Sequence, residues 1–402
     1  MDAAPGPKGR TSPWRVFLVF LRLGLTSFGG PVAHLAHFRQ EFVEQRRWLG
    51  ERAYADLVAL CQFLPGPASS QVGMAIGMSR AGYLGAGAAW LGFTLPSAAL
   101  LLALAVGLSE FGEGVPHTVI RGLGLVTVAV VAQAVWSMAR SLCPDSPRRL
   151  LMVAAASYTL LVPTVWGQVS ALIGGGLVGL LTQRTAEVEH EPLANSHGRR
   201  AAALLLGSFG LLLVGLPILA SAVGQRWLLV VDAFYRTGAL VFGGGHVVLP
   251  LLRAEVVDPG WVGIDTFLAG YGAAQAVPGP LFTFAAFLGA SMEGSPTGLL
   301  GGLLALGAIF LPAALLVLGA MPLWESLRRL PHARAALWGV NAAVVGLLIA
   351  ALYRPVSTDA ITSVTDLALV GLALVALMRW KLPPWLVVVA SGVMAPLLAL
   401  LG

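Results

Sequence analysis

"FLPGPASSQ" (residues 63–71) lies between two apolar runs, inside what hydropathy alone reads as one membrane span, 54–81. Pro65 and Pro67 remove two backbone donors and clash with the preceding turn, and Gly66 adds flexibility, so no continuous helix passes through. The segment from Tyr54 therefore ends at Pro65, and a second half-helix starts at Pro67 with Ser69, Ser70 and Gln71 in its first turn. "FGGP" (28–31) repeats the device. Phe28, Gly29 and Gly30 mark a break in the span entering at Trp14, and Pro31 suits the first position of a new, amphipathic helix running toward Trp48.

These breaks lie at membrane depth because the whole chain has membrane composition. Of 402 residues, 57% are hydrophobic and 11% charged, with mean hydropathy +0.81; a soluble domain carries about 25% charged residues. Runs near the ~20 residues that span a bilayer recur from residue 14 onward. Residues 1–13 read as a polar tail, and no signal peptide is expected. The net charge of +6 reflects arginines in loops, which is a topology signal, so no nucleic-acid partner is expected. Cys61 and Cys143 match no metal or disulfide pattern. No Walker sequence, metal-ligand spacing or Ser-His-Asp order appears, and neither a cofactor nor an enzymatic activity is expected.

The chain repeats itself. "FLRLGLTSFGG" (20–30) lies over "FYRTGALVFGG" (234–244), matching Phe20, Arg22, Gly24 and Phe28 to Phe234, Arg236, Gly238 and Phe242. Arg39 and Glu41 then match Arg253 and Glu255, and Trp48 matches Trp261 after a one-residue slip. Gln62, Pro65, Gly66 and Pro67 match Gln275, Pro278, Gly279 and Pro280. Apolar composition alone does not place Arg, Glu, Trp, Gln and Pro in one order. The expected organisation is a tail (1–13), a first repeat (14–183), a linker and connecting helix (184–228) and a second repeat (229–402).

The fold expected is an all-α polytopic membrane protein of two inverted-topology repeats with broken helices. It has about 13 spans, with ten to twelve as alternative counts. Lys8, Arg10, Arg80, Arg148, Arg149, Arg184, Arg328, Arg329 and Lys381 fall on one side, and Glu110, Glu113 and Glu293 on the other. That bias puts the N-terminus inside and the C-terminus outside. Residues 36–53 disagree, carrying Arg39, Arg46, Arg47 and Arg52 against Glu41, Glu44 and Glu51 on the outer side of that count. Either the first span is re-entrant or this amphipathic stretch tucks into the protein.

Inverted repeats with paired broken helices point to a transporter substrate site near the midplane. Half-helix N-termini present free N–H groups and a positive dipole end, which suits an anion. The expected substrate-binding set is Arg22, Phe28, Gly29, Gly30, Pro65, Gly66, Pro67, Ser69, Ser70 and Gln71 in the first repeat. In the second it is Arg236, Gly243, Gly244, Pro278, Gly279 and Pro280. Arg39, Glu41, Arg253 and Glu255 are candidates for coupling or gating, and His34, His37 and His246 lie beside the breaks. The plainer readings are a loop turn at Pro-Gly-Pro, close helix packing at FGG, an interface-snorkelling Arg22, solvated face charges and structural histidines.

"SFGGPVAHLAHFRQEFVEQRRWL", "QFLPGPASSQVGMAIG" and "RAGYLGAGAAWLGFTLPSA", with "FGGGHVVLPLL" and "AVPGP" in the second half, resemble the chromate ion transporter family in its long, two-domain form. The resemblance covers residues 14–355. It implies a multi-pass protein of the bacterial inner membrane that exports chromate and confers chromate resistance, with sulfate as a similar tetrahedral dianion. The partners expected are chromate or sulfate, the lipid bilayer and a second copy in a homodimer. An oxyanion channel and a non-transporting sensor or scaffold are the alternatives.

Overall fold

The computed structural model describes residues 11–111, 117–182, 199–242, 245–323, 331–353, 361 and 363–399. Every element within them is helical. Helix α1 (Pro13–Thr26) is capped by Ser12, whose hydroxyl accepts from the Arg15 N–H at 3.3 Å. It stops at Ser27, and Gly29 (φ 99°) and Gly30 (φ 78°) reverse the chain into α2 (Gly30–Arg39), which loosens into a π-helical turn at Gln40–Gln45. Helix α3 (Glu51–Phe63) runs to the Pro-Gly-Pro break. Helix α4 (Ala68–Phe111) is interrupted by non-helical backbone at Ala81 and Gly82, giving a short arm (68–80) and a long arm (83–111).

The outer ends of these pieces meet. The Arg80 carbonyl accepts from the Thr11 N–H at 3.0 Å. The Arg80 guanidinium lies 5.3 Å from the Trp48 ring centroid, and Arg39 pairs with Glu51 at 2.7 Å. Their inner ends meet as well, with His34 Nδ1 3.3 Å from Ser69 Oγ. So α1/α2 and α3/short α4 are two re-entrant hairpins opening at the same end of the molecule. The segments expected to cross as spans at 14–35 and 54–81 go in and come back. This removes the charge conflict: Arg39, Arg46 and Arg52 share an end with Thr11 and Arg80.

The chain then crosses through the long arm of α4, α5 (His117–Leu142), α6 (Ser146–Leu161) and α7 (Val165–Thr182), and α8 (Arg199–Val223) leads into the second repeat. That repeat has α9 (Arg226–Leu240), a 3-10 turn at Gly245–Val247 with α10 (Val248–Val256), and α11 (Ile264–Ala276). A second 3-10 turn, Leu281–Thr283, precedes α12 (Phe284–Ala290), followed by α13 (Gly298–Ala320), α14 (Pro331–Ala351), α15 (Val364–Met378) and α16 (Pro384–Ala399).

Here too the hairpin ends meet. The Glu293 N–H donates to the Trp261 carbonyl at 2.9 Å, Arg226 lies 5.6 Å from the Trp261 ring centroid, and its guanidinium donates to the Glu293 carbonyl. They meet at the opposite end. From the Arg80 end the long arm of α4 goes out, α5 returns and α6 goes out again. The α6–α7 turn at Pro163–Val165 lines the same cleft as Leu229, Asp258 and Trp261. The second repeat is therefore inverted.

The repeats also interlock. Helix α5 packs on α15 and α16 of the other repeat, and α14 packs on α6 and α7. The through-helices among the described residues are the long arm of α4, α5 to α8, and α13 to α16, nine in all. Among the described residues, five helices are long and apolar enough to cross a membrane: 68–109, 121–142, 165–182, 200–223 and 298–323. The expected count of thirteen spans is not reproduced. Four of those thirteen are the re-entrant hairpins, whose two half-helices have the apolar content of one ~20-residue span without its direction. Leu204, Leu211 and Ile218 of α8 stand exposed on the surface, as a lipid-facing helix requires.

Candidate substrate site

Both Pro-Gly-Pro breaks reach across the pseudo-twofold relation. The Gly66 N–H donates to the Val241 carbonyl at 2.7 Å, and the Gly279 N–H donates to the Ser27 carbonyl at 3.0 Å. Each glycine thus bonds the carbonyl that ends the first helix of the other repeat. Both lie in the left-handed region, at φ 117° and 110°. A Cβ at Gly66 would stand 2.9 Å from Ala313 Cβ, and one at Gly279 would stand 2.7 Å from Ser97 Oγ. Ser97 and Ala313 each follow the proline inside the long crossing helix of their repeat, Pro96 in α4 and Pro312 in α13.

The short arm of α4 makes its first backbone bond from the Gln71 N–H to the Pro67 carbonyl at 3.0 Å, so the amides of Ala68, Ser69 and Ser70 precede the helical ladder. Gln71 Nε2 donates to the Pro65 carbonyl at 2.8 Å and clamps the break. Around this N-terminus stand Ser27, His34, Ser69, Ser70, Thr94 and Ser97, none more than 2% exposed. The His34 ring lies beside the Ser27 backbone and meets Phe93 edge-on at 5.2 Å. Ser97 Oγ donates to the Thr94 carbonyl at 3.1 Å. Ser27 Oγ, His34 Nε2, Ser70 Oγ and Thr94 Oγ1 are buried with no protein partner. A buried polar atom left unsatisfied costs about 1–3 kcal/mol, so these four atoms are candidates to hold a polar guest or water.

The structure brings Ser69 and Ser70, singled out in the sequence with the breaks, near Ser27, Thr94 and Ser97, which the sequence did not single out. Thr94 and Ser97 flank Pro96 within a long apolar run, where only that proline hints at a role. Phe28 and the Gly29-Gly30 turn lie beside the site, with the Phe28 ring 5.9 Å from Trp385. Pro278 and Pro280 bracket Gly279, and Thr283 Oγ1 donates to the Pro280 carbonyl at 2.7 Å. Gly243 and Gly244 lie outside the described residues.

The charged candidates lie elsewhere. Arg22 is exposed on α1. Arg236 is committed to Glu255 through two bonds of 2.9 Å and to Asp232 at 3.2 Å. This triad lines a cleft of about 400 Å³ near the α6–α7 turn, with Asp258 and Trp261. Glu41 pairs with Arg46 at 2.6 Å, while Arg39 holds Glu44 and Glu51 at an exposed surface. Arg253 pairs with Asp258 at 3.3 Å. The repeats thus diverge in their ion pairs: Arg236 bridges α9 to α10, whereas Arg22 and Glu41 do not join. His246 Nδ1 lies 2.8 Å from the Tyr271 hydroxyl.

Comparison with known proteins gives a concordant result. The family model described as chromate transporter matches residues 14–180 and again 228–395. The chromate transport protein of Pseudomonas aeruginosa is 29% identical over 409 residues, 97% of this chain and 93% of its own. That of Cupriavidus metallidurans is 27% identical over 373 residues, 90% of this chain and 87% of its own. An uncharacterized transporter of Bacillus subtilis, YwrA, is 29% identical over 164 residues, 40% of this chain but 89% of its own. No solved structure matches.

Proposed function

The chain belongs to the chromate transporter family, and from that premise we propose that it is a secondary transporter exporting chromate, and sulfate as a related tetrahedral dianion, across the bacterial inner membrane. On this reading it confers chromate resistance. The observation that supports it most is the opposed pair of broken hairpins bonded to each other through Gly66–Val241 and Gly279–Ser27. Broken helices from two inverted halves meeting in the interior suit alternating access, in which one half rocks against the other around a central site. The substrate lies at the N-terminus of the short α4 arm, where unpaired amides and the helix dipole favour an anion.

Energetics are consistent with export. A dianion leaving an inside-negative cell gains about 2.3 kcal/mol per charge per 100 mV, hence about 4.6 kcal/mol, so ATP is not required. The Asp232–Arg236–Glu255 triad ties α9 to α10, and Arg253–Asp258 holds the α10 end; on this reading the α9/α10 hairpin moves as one body. Glu41, Glu255 or a histidine beside the breaks is the candidate group through which a proton gradient would couple.

The test is flux of chromate and sulfate into inverted liposomes holding the purified protein, at a set potential, with and without a pH gradient. Saturable oxyanion flux that follows the potential is expected. Non-saturating flux without exchange would identify a channel, and absence of flux a sensor or scaffold.

A further inference from the structure

The two crossings are equivalent in backbone but opposite in chemistry. At the first, Gly279 meets Ser27, Phe93 and Ser97, and His34 stands against Phe93 and Ser69. In the register of the repeat, the positions around Gly66 are Val241, Val248, Phe282, Ile309 and Ala313. Ser27 is replaced by Val241, His34 by Val248, Ser69 by Phe282 and Ser97 by Ala313. Thr94 has Phe310 opposite it. All of these apolar counterparts are at most 2% exposed and, Ala313 apart, belong to the largest hydrophobic core. Ser70 alone keeps a hydroxyl counterpart, Thr283, whose hydroxyl is spent on the Pro280 carbonyl. Around the Gly66 crossing and the second Pro-Gly-Pro break, the unpartnered polar atoms among the described residues are Gln71 Oε1, on the side chain that clamps the Pro65 carbonyl, Thr237 Oγ1 and Gln275 Nε2.

Resting on the transport reading above, we propose that the oxyanion is held at one of the two crossings only, by neutral donors of the first repeat: the hydroxyls of Ser27, Ser70 and Thr94 and Nε2 of His34. The second crossing, lined mainly by apolar side chains, holds no oxyanion and serves as the fulcrum. The Ser69 Oγ–His34 Nδ1 contact is open in direction; in the tautomer in which the hydroxyl donates, Nε2 carries the proton, beside the Ser27 backbone, and can donate to an anion. The hydroxyls and the α4 amides complete a donor shell that binds an anion without a guanidinium, consistent with Arg236 being committed to carboxylates and Arg22 being exposed.

A binding site on one side of an inverted pair also breaks the equivalence of the two facing states. The inward and outward forms present the same ligands from the same repeat, while the second crossing repacks apolar surface.

The test compares His34→Gln, Ser27→Ala, Ser70→Ala and Thr94→Val with Thr283→Val, measuring chromate flux in liposomes and sulfate binding to purified protein by calorimetry. Size-exclusion elution and the thermal melt confirm folding of each. Each first-repeat variant is expected to raise the half-saturating chromate concentration, and the sulfate Kd, by about tenfold or more, as loss of one buried donor to a charged group predicts. Thr283→Val is expected to shift either by less than about twofold. Equal losses at Thr283 and Ser70 would show a two-sided site and overturn the proposal. Unchanged affinity in all folded first-repeat variants would assign those atoms to water and overturn it as well. Absence of oxyanion flux and binding in the unsubstituted protein would instead remove the transport reading itself.

Discussion

Gly66 and Gly279 show what one residue decides. Each combines a left-handed φ, a donated cross-repeat bond and no room for a Cβ. Gly66→Ala and Gly279→Ala are each expected to destabilise the protein by about 1–3 kcal/mol, read as a lower Tm in detergent. An unchanged Tm would mean the crossing bonds are dispensable. The sequence made both glycines visible as the centre of Pro-Gly-Pro, but the partner carbonyls were not legible there. Val241 and Ser27 carry no local signal, because what the crossings use is the backbone carbonyl with which each ends a helix at the right depth. Ser97 was hidden for a similar reason, since one hydroxyl in an apolar run carries no local signal.

At the scale of the element, matched residues do different work. Arg22 and Arg236 occupy the same repeat position, yet α9 and α10 are stapled by Arg236 to Glu255 and Asp232 while Arg22 is exposed on α1. Removing one partner of a buried ion pair leaves uncompensated charge. Arg236→Gln is therefore expected to destabilise by about 3 kcal/mol, and adding Glu255→Gln to restore most of the loss. Arg22→Gln is expected to stay within about 0.5 kcal/mol. Thermal melts of the three variants decide, and equal effects at Arg22 and Arg236 would refute the distinction. A repeat alignment transfers backbone roles well and side-chain roles poorly, because partner choice depends on side chains from outside the repeat.

For the whole molecule, the consequence of the re-entrant hairpins is a topology. Ser12 and Gln45 share an end with Arg80, while Ser295 neighbours Glu293 at the opposite one. Both native cysteines are buried. With a membrane-impermeant maleimide, Ser12→Cys and Gln45→Cys are expected to be labelled from one side of the membrane and Ser295→Cys from the other. Labelling of Gln45→Cys from the Ser295 side would restore a through-span at 14–35. Interlocking of α5 with α15 and α16, and of α14 with α6 and α7, further implies that neither repeat completes its core without the other.

By itself the sequence determined the membrane class, the all-helical build, the duplication and the four breaks. Each rests on composition, on breaker chemistry or on residue order, and all three are written along the chain. Only the tertiary structure decided that the broken segments turn back, that each break bonds the other repeat, that Arg236 is committed to carboxylates, and that polar side chains gather at one crossing and apolar ones at the other. Hydropathy has no direction, so a hairpin and a span read alike. The contacts that separate them, from Gly66 to Val241 and from Gly279 to Ser27, join residues from opposite halves of the chain and exist only once the two halves meet.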